Sequence, residues 1–424
     1  MSTGFEKVTL ANGLRIILAP LPAFRSVTAL VLCGAGSRYE TSETNGVSHF
    51  LEHMFFKGTN KRPKASDISH ALDEIGADYN AFTGKETTGY HIKAASEHLP
   101  LILDMLSDML WNSKFETAEI EKERGVIIEE INLYEDTPMR RVAEIYEQVL
   151  WPSQPLGWDI GGRKEVIRKV TGDNFLDYIS RRYVPNNMVL ALAGDFGRKE
   201  ALSLAKKYFG DKKPQEVAGF LPVLEAQKKP ALRVVYKKTD QAHLVVGVRA
   251  FELGHPDRYN AAVLATILGG GMSSRLFVNV REKRGLAYYV NAGFGGYLDT
   301  GTLAASAGVD LKRCQEALSV ILAEFAKIAK EKVNERELKK AKEYIKGRAI
   351  LSWEDSRTVA YEYGIDEILE KRVRSLDEVL AEIDAVTAAD VLRVAQFLFT
   401  DAKLNLAVIG PFKDSERFVK ILKI

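Results

Sequence analysis

The pentapeptide His49-Phe50-Leu51-Glu52-His53 places two imidazoles at i and i+4. On a helix such residues share one face, with β-carbons about 6 Å apart. That spacing suits two of the four positions around a tetrahedral zinc ion. Glu52 borders the same face, three residues after one histidine and one before the other. A carboxylate there reaches a water held by the metal without being a ligand, and can take its proton as general base. Alone, the pentapeptide is weak evidence, because solvated helix faces carry such residues by chance. Its neighbours add weight. Phe50, Leu51, Met54, Phe55 and Phe56 make the segment strongly apolar, so charged residues within it need partners. A third donor is available in Glu121–Ile131, where Glu123 and Glu130 are seven residues apart and fall on one helix face. An ordinary solvated face is the alternative reading of those acids.

Other chemistries find less support. His70, His91, His98, His243 and His255 match no ligand spacing and read as surface or satisfied core histidines. Cys33 and Cys314 form no C-x-x-C, and two buried free thiols are expected rather than one disulfide. No G-x-S-x-G accompanies a serine, and no cysteine has a placed histidine partner.

The elements that must position these residues follow from periodicity and turn signals. Asn12-Gly13 between Phe5–Leu10 and Leu14–Leu18 predicts a hairpin, because both residues tolerate positive φ. Val27–Cys33 reads as a buried strand, Val47–Phe56 as a short helix, and Tyr79–Thr83 with Thr87–Ala94 as paired strands. Leu99–Trp111 and Glu116–Tyr134 read as helices, the second ended by Pro138. Asp173–Arg182, Met188–Ala193 and Lys199–Phe209 read as helix, strand and helix. After the Pro- and Gly-bearing stretch Gly210–Pro230 the order restarts: strands at Leu232–Tyr236 and Leu244–Ala250, a helix at Tyr259–Leu268, strands at Ala287–Gly293 and Thr302–Ser306. Helices then run to Leu398, and Leu404–Ile409 is a last strand.

The restart is an internal repeat. Thr171–Phe196 and Thr387–Phe412 match without a gap as helix, turn and strand, at an offset of 216 residues. At that offset Ala265 stands opposite His49 and Lys346 opposite Glu130, so only the first half keeps the candidate ligands. The expected organisation is a metal-binding domain over 1–213, a linker over 214–230 and a second, similar α+β domain over 231–424 without metal ligands.

Lys plus Arg number 59 and Asp plus Glu 57, a net charge of +2, which gives no electrostatic reason to expect nucleic acid or an anionic membrane as partner. No stretch approaches the roughly 18 apolar residues of a membrane span, and Met1–Lys7 has no signal-peptide pattern. A soluble, cytoplasmic protein is expected.

HFLEH, then 76 residues, then Glu130 resembles the pitrilysin–insulinase–mitochondrial processing peptidase family, the inverzincins. The resemblance implies that His49, His53 and Glu130 hold one zinc per chain, that Glu52 is the base and that Glu123 supports the site. It continues over the whole chain. Asn80-Ala81-Phe82-Thr83, followed by Glu86, Thr88 and Tyr90, is similar to the family's substrate-binding edge strand, to which an extended peptide adds as another strand. Gly269–Phe277 resembles a glycine-rich segment of the second domain; read as a phosphate loop it would lack the G-K-[ST] ending. Arg281 and Tyr288 resemble the family's Arg-Tyr pair, the arginine gripping a substrate carbonyl and the tyrosine donating to the developing oxyanion. Lys283, Arg284 and Tyr289 are neighbours outside that spacing. The implied fold is two homologous α+β domains, each a mainly antiparallel sheet packed with helices, together forming half of a clam-shell chamber. The implied activity is zinc-dependent endopeptidase cleavage of unfolded peptides by a homodimer, with a pair of unlike chains or a catalytically inactive structural subunit as alternatives.

Overall fold

The Asn12-Gly13 pair makes its turn as expected, with Gly13 at φ +85° and the Asn12 side-chain amide donating to the Phe209 carbonyl at 2.8 Å. It joins the first two strands of a six-stranded sheet in the computed structural model, which describes residues 4–424; Met1–Thr3 of the Met1–Lys7 segment lie outside the described residues. The strands are β1 (Glu6–Thr9), β2 (Arg15–Pro20), β3 (Ser26–Cys33), β4 (Asp78–Thr83), β5 (Thr88–Ala95) and β6 (Met188–Gly194), in the order β1-β2-β6-β3-β5-β4. Only β2 and β6 run parallel. β3 and β6 are buried along nearly their whole length, which is why their sequences are unbroken apolar runs rather than alternations. β4 pairs with β5 alone and closes the sheet as an edge.

A second sheet contains β7 (Ala231–Tyr236), β8 (Gln241–Ala250), β9 (Ala287–Gly296), β10 (Gly301–Asp310) and β11 (Leu404–Gly410), in the order β7-β11-β8-β10-β9. Strand for strand this repeats β2-β6-β3-β5-β4, including one parallel pair, β7 with β11. The offset of 216 residues holds through regular structure. The helix Gly172–Arg182 corresponds to Ala388–Leu398 and β6 to β11, and both helices begin with a threonine capping box, at Thr171 and Thr387. Ala265, opposite His49, lies buried in the helix Arg258–Gly269, part of the second sheet's core.

The chain does not divide at a single point as the ranges 1–213, 214–230 and 231–424 supposed. It passes from one compact unit to the other within the expected linker, at Leu221 and Pro222. In addition, the first unit takes in Ile350–Asp377 and the second Leu133–Gly157. The reason is that each sheet has a second apolar face to cover. On the first, Val359, Ala360 and Tyr363 of the helix Ser356–Ile365 pack on Leu30, Leu32 and Ala191. On the second, Val142, Ile145 and Leu150 of the helix Pro138–Leu150 pack on Val245, Ala407 and Ile409. Pro138 therefore ends one helix, Thr117–Glu135, and opens another, where its missing N–H costs nothing. That helix and the helix Ala65–Asp73 were not expected from the sequence pattern. Cys33 and Cys314 are both free and buried. Among the described residues no helix is long and apolar enough to cross a membrane.

The helix carrying the histidines runs over Val47–Met54, ending slightly short of the expected Phe56, and starts at Gly46 with φ +99°. A β-carbon at Gly46 would lie 2.7 Å from Ile167 Cδ1 and 2.8 Å from the Gly161 carbonyl oxygen. Gly46→Ala should lower stability by at least the ~1–3 kcal/mol of a strained left-handed residue, read as a fall in the first unfolding midpoint. An unchanged midpoint would contradict this account of the turn.

Candidate active site

The Val47–Met54 helix is fastened at both ends by carboxylates. At its start, buried Glu40 accepts hydrogen bonds from the Gly46 and Ser48 backbone N–H groups, both at 2.8 Å, and from the Asn45 side chain at 3.1 Å. These are amides that a helix start leaves without partners. Burial raises the Glu40 carboxyl above its ordinary pKa, against the pull of these donors. Buried Phe50, Leu51 and Met54 turn the helix's apolar side into the core, with Phe50 edge-on to Phe175 at 5.1 Å. His49, Glu52 and His53 are left on the half-buried side.

The second element is the helix Thr117–Glu135. Ile120, Glu123 and Ile127 are its buried residues, and Glu130 continues that stripe by another turn. Two of the four positions in an inward-facing row are thus glutamates, which an ordinary solvated face does not explain. Glu123 Oε1 lies 2.8 Å from His53 Nδ1, and its Oε2 lies 2.5 Å from Lys57 Nζ. A carboxylate can only accept, so the proton sits on Nδ1 and the His53 Nε2 lone pair is the free one.

That Nε2 is 3.5 Å from Glu130 Oε2, and His49 Nε2 is 3.6 Å from the same oxygen. The three residues are the group of donors among the described residues whose ligand atoms converge, all within 4.8 Å. Zinc–nitrogen and zinc–oxygen distances of about 2.0–2.2 Å give tetrahedral edges of roughly 3.3–3.6 Å. The two separations from Glu130 match those edges and are longer than good hydrogen bonds, and with the histidine nitrogens within 4.8 Å of each other the donor set suits a zinc ion. Burial, with nearby His53, pushes His49 down to about 4 against Glu130, which favours the neutral form that a metal requires. Burial also lowers His53, but its bond to Glu123 and the surrounding carboxylates outweigh this and raise it. For Glu123 the order is reversed: burial raises it, and His53 and Lys57 bring it below the ordinary value.

Glu52 is not in the converging trio. Burial raises its carboxyl, and the Thr83 hydroxyl, which donates to Oε2 at 2.6 Å, opposes that shift. Thr83 ends β4, so the edge strand and the candidate base are in direct contact. β4 is the edge that the sequence suggested for Asn80, Ala81 and Phe82. The Ala81 N–H donates to Asn80 Oδ1 at 2.9 Å. Glu86, Thr88 and Tyr90, grouped with this edge from the sequence, belong elsewhere. Glu86 is buried in an ion pair with Arg38, the Thr88 hydroxyl donates to the Ala35 carbonyl, and the Tyr90 hydroxyl meets that of Tyr183 at 3.0 Å. Thr88 and Tyr90 share one buried face of the interior strand β5, and Glu86 lies in the turn before it.

In the second unit the Arg281 guanidinium lies over the Phe277 ring at 4.9 Å and the Tyr288 ring at 5.7 Å. Arg281 is exposed, and Tyr288 is 73% exposed, which is unusual for a tyrosine on a strand. Tyr289 instead turns inward, its hydroxyl 3.1 Å from His243 Nδ1. Gly269 has a packing role: a β-carbon there would lie 2.1 Å from the Ala292 backbone nitrogen of β9. The sequence pattern does not single out Glu40 or Lys57, and it places Thr83 in the edge-strand motif without indicating its bond to Glu52. Alternation along β4 could have placed Thr83 on the helix side.

Comparison with known proteins agrees with this architecture. The profile "Insulinase (Peptidase family M16)" matches residues 15–162, and "Peptidase M16 inactive domain" matches residues 169–345. An "uncharacterized zinc protease" of Bacillus subtilis is 38% identical over 407 residues, 96% of this chain and 98% of that protein. A protease structure from Helicobacter pylori superposes with a TM-score of 0.90 at 24% identity, covering 97% of this chain and 100% of that one. A chain of Complex III2 from Candida albicans shares the fold, with a TM-score of 0.85 at 19% identity, covering 99% and 100%.

If Glu123 fixes the His53 tautomer, Glu123→Ala should weaken zinc affinity by about 10–100-fold without removing a ligand. Competition with a zinc chelator measures this, and unchanged affinity would separate Glu123 from the centre.

Proposed function

Because the chain belongs to the insulinase family of peptidases, M16, we propose that it is a zinc-dependent endopeptidase acting on unfolded peptides. The observation that carries this reading is the convergence of His49 Nε2, His53 Nε2 and Glu130 Oε2 beside Glu52, itself bonded to the end of an open sheet edge. His49, His53 and Glu130 would hold one zinc ion per chain. When bound, zinc supplies a Lewis acid that acidifies water and polarises a carbonyl. Glu52 takes the proton of the attacking water as the new C–O bond forms, and returns it to the amine nitrogen as the scissile C–N bond then breaks. Glu123 is a positioning residue that acts through His53. The edge of β4 receives the substrate as an added strand through its outward-facing backbone groups, with Asn80, Ala81 and Phe82 at the contact. On the family resemblance, Arg281 binds a substrate carbonyl and Tyr288 donates to the oxyanion.

The occurrence of this fold in a chain of Complex III2, together with the match of residues 169–345 to an inactive-domain profile, keeps a structural, non-catalytic role as the competing reading. Support for an enzyme comes from the complete donor set, with a carboxylate beside it that does not converge on the same point. The reading takes the active form to be a cytoplasmic pair of like chains, with a pair of unlike chains as the alternative. Solution mass and turnover of the purified chain, measured together on a fluorogenic peptide, test both.

Two sets of variants separate the roles. His49→Ala should lose zinc and activity, whereas Glu52→Gln should keep stoichiometric zinc while turnover falls by about 10²–10⁴. Stoichiometric zinc in His49→Ala would remove the ligand assignment, and near-normal turnover by Glu52→Gln would remove the base. Tyr288→Phe and Arg281→Ala should retain zinc while turnover falls, by roughly 10²–10³ for an oxyanion donor. Lys283→Ala and Arg284→Ala should do much less. Equal turnover by Tyr288→Phe and the unaltered enzyme would contradict the role given to that hydroxyl.

A further inference from the structure

Side chains of a strand alternate between faces, so a peptide added to β4 presents residues to both faces of the first sheet. On one face Ala81 and Tyr79 pair with Tyr90 and Ile92 toward the histidine helix. On the other, Asn80 and Phe82 pair with His91 and Gly89. Here the sheet margin and the helix Ser356–Ile365, both in the same compact unit, enclose a recess of about 300 Å³. The Phe82 ring lies back over β5, where a β-carbon on Gly89 would come within 2.3 Å of Phe82 Cζ. Tyr361 stands edge-on to that ring at 5.5 Å, and Leu30 completes the apolar wall. The recess therefore has an aromatic wall, set one residue along β4 from the Thr83 hydroxyl that bonds Glu52.

One polar group in this wall is unusual. His91 is only 8% exposed, and its Nε2 is buried without a hydrogen-bond partner. A buried polar atom left this way costs free energy that a suitable ligand atom recovers. Arg357, at the rim, is engaged by Asp78 and Asp355 and so offers no free charge to an acidic ligand. The walls call for a flat apolar body, and the imidazole nitrogen calls for a polar tip.

Resting on the proposed peptidase function, we infer that this recess is a specificity subsite for a tyrosine side chain of the bound peptide, its ring lying against the wall that Phe82 and Tyr361 form together and its hydroxyl bonded to His91 Nε2. Burial lowers the His91 pKa, so the ring is neutral near neutral pH and Nε2 can pair with a phenol in either direction. The selected residue lies within about two positions of the scissile bond, since strand residues advance roughly 3.3 Å each.

The test uses the purified full chain with zinc and pairs of peptides differing only by Tyr, Phe or Ala at each position flanking the cleaved bond. Two peptides compete in one tube, so the ratio of kcat/KM values does not depend on how much enzyme is folded. At one position Tyr should exceed Phe by roughly tenfold, the value of one hydrogen bond. His91→Leu should bring that ratio to about one, and Tyr361→Ala should shrink the preference of both aromatics over Ala. The same ratios, read as binding of peptides to Glu52→Gln, probe the recess without turnover, so a failure of hydrolysis is distinguishable from a failure of the subsite. Absence of any Tyr preference, or a Tyr preference that survives His91→Leu in both turnover and binding, would overturn the inference.

Discussion

Two helices meet so that two imidazole nitrogens lie 3.5 and 3.6 Å from one carboxylate oxygen, too far to bond it well and too close to ignore it. Most of the first unit's design serves to hold that meeting in place. Glu40 fixes the start of the histidine helix, and Gly46 permits the turn into it. Ile120 and Ile127 bury the partner helix, and Glu123 joins the two by bonding His53 from within that same stripe. Such ligand atoms would repel or misalign without this support, and the support is where a metal centre's geometry is set.

The contact between Thr83 and Glu52 links this centre to the sheet. A base that touches the last residue of an edge strand is at a fixed distance from any peptide that extends the sheet. Backbone pairing then supplies binding that is indifferent to sequence, and the faces on either side of the new strand supply selectivity. On the proposed function, the strand that would receive the peptide, β4, is also the one that touches Glu52.

Much of this was legible in the sequence, for physical reasons. The i, i+4 histidines need only helical periodicity. The repeat survived as a gapless offset because each half must end in a capped helix followed by a fully buried strand, at Thr171–Gly194 and Thr387–Gly410. The free, buried state of Cys33 and Cys314 followed from their apolar settings. Other features depend on contacts between distant residues and leave no local pattern. Ile350–Asp377 covers the first sheet, although it lies far along the chain, because Val359, Ala360 and Tyr363 match an apolar face that nothing nearby in sequence can cover. Glu40 looks like any surface acid until the helix start is built against it. Glu86, Thr88 and Tyr90 appeared to extend the edge pattern but belong to the interior, because the turn after Thr83 carries the chain into β5.

On the proposed function, one zinc ion is held by three named atoms. Anomalous diffraction at the zinc absorption edge, on crystals of the full chain grown with zinc, addresses it without relying on activity. The account predicts a single strong peak about 2.0–2.2 Å from His49 Nε2, His53 Nε2 and a Glu130 oxygen, with Glu52 outside the coordination sphere. A peak ligated by Glu52 or Glu123 in place of Glu130, or no peak between the two histidines, would contradict it.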